Sequence, residues 1–432
     1  MVWSEAEGGI PVGLALIVMA AFGLGFNRSM QHTKHCVSRR SVANGTETSD
    51  LLHRKSEGID VKSISSCALC DVDVANKNDS GEHILLQSLG GRRQVFGFIC
   101  KICNSRTGQL WDASLNQELA HVALMHGVNR QRSRELPSKK ISTVDETQLL
   151  LHADGSMSPA EPTFKAIEVD GKLTYSAIAR NVAEAKKMIG GLQKKHPKFE
   201  ATLTTKTEYN NILKMDFSVG GPQSGRSLVK TAVAFAHAMG IPHNDCSNAM
   251  HYLRKEQAPP CYGHFHERDL VSGRSSEHLI HCVSVKGDSS KQALLGYVEY
   301  FSIAKVVVLL SDKYLGPDVQ QIYAIDPSSG HELPVKIDLS LTQDELDRVV
   351  HVDESDFAAY RRSLDQAFPV LMGRVWQRSQ DQAIHNAIGQ AFKELGIESD
   401  EELLPNQYWQ FSELFVKHLR PYLEATFVIP AL

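Results

Sequence analysis

The chain has 432 residues, 42% of them hydrophobic, and a formal net charge of −4. That length accommodates two or three domains with cores of their own and excludes a disordered chain. The slightly acidic balance excludes a nucleic-acid-binding coat spread over the whole surface. Of eight cysteines, Cys36, Cys246, Cys261 and Cys282 are scattered without a disulfide pattern, which fits a reducing compartment and places the folded part in the cytoplasm.

Ile10 to Phe26 is a run of seventeen uncharged residues, short of the ~20 that a membrane helix needs. Glu5 and Glu7 ahead of it argue against a secretory signal. Arg28, Lys34, Arg39 and Arg40 behind it would keep the downstream chain cytoplasmic. Residues 1–29 therefore read as a membrane anchor through residues 10–26, as an extended start ahead of Met30, or as a buried helix. Residues 30–66 read as a linker, polar and rich in Ser, Thr and Asp from Ser41 onward.

The most informative stretch follows. Cys67/Cys70 and Cys100/Cys103 are two Cys-x-x-Cys pairs 29 residues apart. Each pair sets two thiolates on one tight turn, and the four together suit a tetrahedral structural zinc. The loop they close holds Glu82-His83-Ile84 and Ser88-Leu89-Gly90-Gly91-Arg92, and Asn104 directly follows the last cysteine. In this order the residues resemble the HNH endonucleases, in the branch whose ββα-metal finger is framed by two cysteine pairs. The resemblance covers about residues 67–115. It departs from the family pattern at Leu86, where proline is usual, and in lacking a clear middle Asn or His among Arg93, Gln94, Val95 and Phe96.

The resemblance implies phosphodiester hydrolysis, with His83 as general base and Glu82 and Asn104 on a divalent cation, Mg2+ or a similar hard ion. Adjacent strand residues point to opposite faces, so Glu82 and His83 can serve one site only at a twist or strand end. Asp112, about two helical turns beyond Asn104, would cap or brace the finger's helix. Between Arg92 and Lys140 there are nine Lys/Arg against three Asp/Glu. Such a segment suits DNA phosphates, with Arg92 and Arg106 as candidate contacts.

Downstream, residues 67–125 form the HNH domain and 126–161 a basic linker. Residues 162–341 read as an α+β domain with an antiparallel sheet, and 342–432 as a helical region. Ile178, Val182, Ala185, Ile189 and Leu192 share one helical face, and Ser227 to Met239 reads as a second helix. Strands are expected at His278–Val285, Ala293–Phe301, Ile303–Leu310 and Gln320–Ile325. Helices are expected again at Phe357–Leu371 and Phe411–Tyr422.

Two weaker patterns compete. Gly220-Gly221-Pro222-Gln223-Ser224-Gly225-Arg226-Ser227 fits a phosphate-binding loop except that Arg226 stands where Lys is required; otherwise it is a glycine-rich turn. Cys261, His264 and His266 have metal-like spacing without a fourth ligand, and read as a chance cluster. The functional reading is a metal-dependent HNH-type DNA endonuclease whose C-terminal domain selects substrate or answers an activator or ligand. The alternatives are a non-catalytic zinc-finger nucleic-acid-binding regulator and a nucleotide-sensing effector nuclease.

Overall fold

The computed structural model describes residues 14–19, 66–74, 78–130, 136–143, 146–153, 155–169, 172–197, 212–217, 219–275, 277–350, 355–397 and 403–426. The linker read at 30–66 lies outside them except for Ser66, as does most of the 10–26 run. Leu14–Met19 of that run is a strand, β1. No described helix is long and apolar enough to cross a membrane.

The finger opens with a short antiparallel hairpin of β2 (Glu82–His83) and β3 (Gln94–Val95). Helix α1 (Lys101–Thr107) follows, a π turn over Gly108–Asp112 carries it on, and α2 (Ala113–His126) ends at Gly127 with φ +78. The stretch read as a basic linker contains three strands, β4 (Lys139–Thr143), β5 (Gln148–Leu151) and β6 (Met157–Pro159). Their period-two burial, with Ile141, Thr143, Leu149 and Leu151 inward, is hidden in the sequence by the basic residues around it. Next come a hairpin of β7 (Thr163–Val169) and β8 (Lys172–Ile178), then α3 (Val182–Lys195). Ile178, expected on that helix, ends β8 instead, because Asn181 caps α3 by accepting the Glu184 N–H at 2.9 Å. Strand β9 (Ile212–Phe217) completes an antiparallel sheet in the order β1-β9-β4-β5-β6.

Helix α4 (Pro222–Ala238) starts five residues earlier than the sequence suggests, so Gly225 and Arg226 are helical. After it come α5 (Ser247–Arg254), β10 (Tyr262–His264) and β11 (Val271–Ser272). The four expected strands are β12 (His281–Asp288), β13 (Ala293–Tyr300), β14 (Ala304–Ser311) and β15 (Val319–Ile325). With β10 they form a second antiparallel sheet, ordered β10-β14-β13-β12-β15, so the fold is α+β as expected. Short β16 (Lys336–Ile337) pairs with β11. Helices α6 (Gln343–Val350), α7 (Ser355–Leu395) and α8 (Tyr408–Thr426) make the helical C-terminal region.

The second sheet is buried on both faces, which explains its near-continuous apolar strands. Val283, Val285, Val298, Val306 and Val308 join one core, while Cys282, Tyr297 and Val307 join another. The first core does not stop at the sheet. It runs through Leu228, Ala232 and Phe235 of α4 to Phe98, Leu115 and Leu119 of the finger. Helix α4 is buried from Ser224 to His237, so it lies between finger and sheet as a shared spine. Helix α7 is tied to the finger's second helix: Arg378 donates to the carbonyls of Leu124 (2.9 Å) and Met125 (2.5 Å) in the last turn of α2.

At the same end of α2, His126 is only 2% exposed. Burial, with the Arg374 charge beside it, lowers its pKa to about 3, and burial lowers His281 to about 4. Between the ordinary value of 6.5 and these lowered values, the unfolded chain binds protons that the folded chain refuses. Stability is therefore full at neutral pH and falls as pH drops below about 6.5. Thermal unfolding followed from pH 7.5 to 5 should show a falling Tm, with a shallower fall in His126→Phe. A flat Tm over that range would show that these imidazoles are not held neutral.

Candidate active site and metal centre

The two knuckles come together as their spacing implies. The sulfurs of Cys67, Cys70, Cys100 and Cys103 all lie within 4.8 Å of one another, and Cys70 Sγ is 3.8 Å from Cys100 Sγ. Four thiolates at about 2.3 Å from a tetrahedral ion would be separated by about that distance, so this donor set fits zinc. Backbone N–H groups of Cys100 and Cys103 point at Cys67 Sγ (3.3 Å) and Cys100 Sγ (3.4 Å), which favours thiolate charge. The first knuckle is also held from outside. Arg254 of α5 donates to the Ala68 carbonyl at 2.8 Å and to Asp71 Oδ1 at 2.6 Å.

The knuckles hold the hairpin, and the second sheet positions its loop. In the turn after Ile84, a Cβ on Gly91 would fall 1.8 Å from the Leu85 carbonyl oxygen, so only glycine fits there. Leu86 donates its N–H to Tyr300 Oη at 3.1 Å. Proline has no such hydrogen, which accounts for leucine at this departure from the family pattern. His281 bonds the Leu89 carbonyl through Nε2 at 2.8 Å.

Glu82 and His83 part company as strand alternation requires. Glu82 turns inward, 4% exposed, and pairs with Lys230 Nζ of α4 at 2.6 Å. Lys230, itself 1% exposed, also meets Asp112 Oδ2 at 2.6 Å, while Asp112 Oδ1 accepts the Ser227 hydroxyl at 2.6 Å. Burial disfavours the ammonium, but the two carboxylates outweigh it and hold Lys230 charged. Asp112 thus braces the finger, against α4.

His83 faces the other way, half-buried, on the outer side of the hairpin. Its register partner is Gln94, whose amide nitrogen lies 3.4 Å from His83 Nδ1. Gln94 is therefore the side chain set beside the histidine by the hairpin register, a relation that residue type does not signal in the sequence. Asn104 stitches α1 to the start of β2, its Nδ2 donating to Ser80 Oγ at 2.8 Å and facing the Gly81 carbonyl at 3.5 Å.

The structure thus sets Gln94 beside His83, ties Asn104 to residues 80 and 81 just ahead of that strand, and turns Glu82 inward. With its nitrogen on Ser80, the Asn104 amide has its oxygen as the end suited to a hard cation. Glu82 does not complete that pair in this arrangement, because its buried carboxylate is committed to Lys230. Among the described residues, the four cysteines are the one group of three or more His, Cys, Asp or Glu side chains close enough to share an ion.

Of the candidate phosphate contacts, Arg106 is exposed on α1. Arg92 is instead engaged with the chain, donating to the Asn129 carbonyl at 3.0 Å. Lys101, not singled out from the sequence, is exposed three residues before Asn104 and shares its helix face. The loop with phosphate-binding character is occupied by protein. Glu118 accepts the Gly220 N–H at 3.2 Å at the start of α4, and Arg226 donates to the carbonyls of Tyr252, Lys255 and Glu256. His264 and His266 stack on each other and form no metal-capable group with Cys261.

Residues 67–120 match the family model of the HNH endonucleases. Neither the curated proteins nor the solved structures gave a match.

Two variants probe this architecture separately. Cys67→Ser should lower bound zinc, read by metal analysis of the purified protein, and lower Tm, since structural zinc contributes folding energy directly; a zinc-replete, stable variant would rule out the four-cysteine site. Lys230→Met leaves the buried Glu82 and the partly buried Asp112 without their cation and should destabilise by about 3–5 kcal/mol in denaturant melts. Adding Glu82→Gln should restore part of that loss, and strict additivity of the two changes would show that they do not interact.

Proposed function

We propose that this chain, which carries an HNH endonuclease domain at residues 67–120, is a divalent-cation-dependent DNA endonuclease that hydrolyses phosphodiester bonds. The observation that carries the reading is the placement of His83: partly exposed on a zinc-framed hairpin, with Gln94 at its Nδ1 and Asn104 at the foot of the same strand. A histidine acts as general base through a nitrogen that bears a lone pair. For Nε2 to take the proton of an attacking water the ring must carry its hydrogen on Nδ1, which requires the Gln94 amide to turn over from its present placement, nitrogen toward Nδ1, so that its oxygen accepts the Nδ1–H. Lys101 and Arg106 supply positive charge for the phosphates of the strand.

A divalent cation would stabilise charge on the scissile phosphate and the leaving oxygen. Asn104 offers it an amide oxygen; Glu82 could join only by giving up Lys230. Structural zinc in the four-cysteine site completes the proposed cofactors. The C-terminal sheet and helices, which share a core with the finger, are the part proposed to select substrate or respond to an activator or ligand. With seven described cysteines unpaired, the cytoplasm is the proposed compartment; the pairing of Leu14–Met19 with β9 does not support anchoring through residues 10–26.

Burial of Glu82 favours one second reading, a finger that binds nucleic acid without cutting it. Incubating the protein with supercoiled plasmid in Mg2+, in Mn2+ and in EDTA, alongside His83→Ala, separates the two. The expected outcome is metal-dependent nicking that falls by at least about a hundredfold in His83→Ala. Salt-sensitive binding with no nicking by the unaltered protein would favour the second reading. Equal nicking by both proteins would remove His83 from the role of base.

A further inference from the structure

We propose that Phe96 is a nucleobase platform at the edge of this site, and that the preferred substrate has an unpaired base next to the phosphate that is cut. The proposal rests on the nuclease reading above and specifies its substrate class.

Scattered exposed apolar residues are ordinary, so exposure alone says little. Phe96 differs in how it is held. The residue is 62% exposed, yet its backbone is fastened on both sides. The residue before it, Val95, is in register with Glu82 in the hairpin, and the residue after it, Gly97 at φ +71, donates its N–H to Asp79 Oδ1 at 2.9 Å. The ring is also seated. A Cβ on Gly81 would lie 2.9 Å from Phe96 Cε1, 3.0 Å from its Cζ and 3.4 Å from Gln94 Cδ. The ring and the Gln94 side chain therefore lie over Gly81, two residues before His83 and on the same strand face. Glycine at position 81 is what lets the ring lie down there.

The result is a flat, water-exposed aromatic surface over Gly81, two residues ahead of the imidazole, and the Gly81 carbonyl faces Asn104 of α1, the helix that carries the exposed cations Lys101 and Arg106. Single-stranded nucleic acid is gripped by this combination of a basic track and aromatic faces on which bases stack. Within an intact duplex each base is already stacked on its neighbours, and presenting one to Phe96 would require unstacking and unpairing it first. An unpaired or gapped position offers the base without that cost.

The test uses the full chain. The cut position is first mapped on single-stranded and gapped DNA with the unaltered protein. Oligonucleotides carrying 2-aminopurine next to that phosphate are then titrated with His83→Ala, alone and combined with Phe96→Ala, Phe96→Leu or Phe96→Trp. Stacking should quench the fluorescence with His83→Ala and with the added Trp. The quench should disappear with the added Ala or Leu, with single-strand affinity falling on the order of tenfold. In the background that retains His83, Phe96→Ala should lower kcat/KM on gapped DNA more than on intact duplex, with Tm and zinc content unchanged. Unaltered quenching and affinity in the Ala and Leu variants, while the unaltered protein still cuts DNA, would overturn the platform and leave the nuclease reading in place. Absence of any cutting by the unaltered protein would overturn both.

Discussion

One buried ammonium holds the two halves of this molecule in register. Lys230 comes from the middle of α4 and meets Glu82 from the hairpin and Asp112 from the end of the π turn, each at 2.6 Å. Removing three charged groups from water is expensive, and such clusters are weak evidence for stability in themselves. Their geometric demand is the useful part. Glu82 sits on the strand that presents His83, Asp112 continues the helix that presents Asn104, and Lys230 belongs to the helix on which the second sheet is built. The edge that carries His83 and Asn104 keeps its spacing while all three elements stay where the ammonium reaches both carboxylates.

Other contacts reinforce that dependence from different directions. Arg254 grips the first cysteine knuckle, Tyr300 and His281 hold the loop between the hairpin strands, and Arg378 fastens the end of α2 to α7. A zinc finger of this size has little core of its own. Here it draws on a core shared with α4 and the sheet. The finger is thus less a module on a tether than one wall of a larger body.

Much of this was legible in the sequence, and the parts that were not have physical reasons. The cysteine spacing pointed to the four-thiol cluster because ligand geometry leaves few alternatives, and the doubly apolar strands of the second sheet were plain because burial on both faces leaves an unmistakable run. The strands of the 139–159 region escaped because basic residues masked their alternation, and α4 was started late because Pro222 and Gly225 read as a turn. The role of Glu82 was obscured by its neighbour. A carboxylate next to a histidine suggests a metal pair, and only the distant Lys230, 148 positions along the chain, shows which way it turns. Gln94 was missed for a similar reason, since its relation to His83 is one of strand register.

The hydrogen bond from the Leu86 N–H to Tyr300 has a bearing on how such chains can diverge. A proline at position 86 would remove the donor and leave the tyrosine hydroxyl buried without it, whereas phenylalanine at position 300 would strand the amide of Leu86. The two positions, 214 residues apart, are therefore bound to drift as a pair. Among descendants of a common ancestor, proline at the first should travel with a residue at the second that no longer needs to accept, and a non-proline residue with tyrosine.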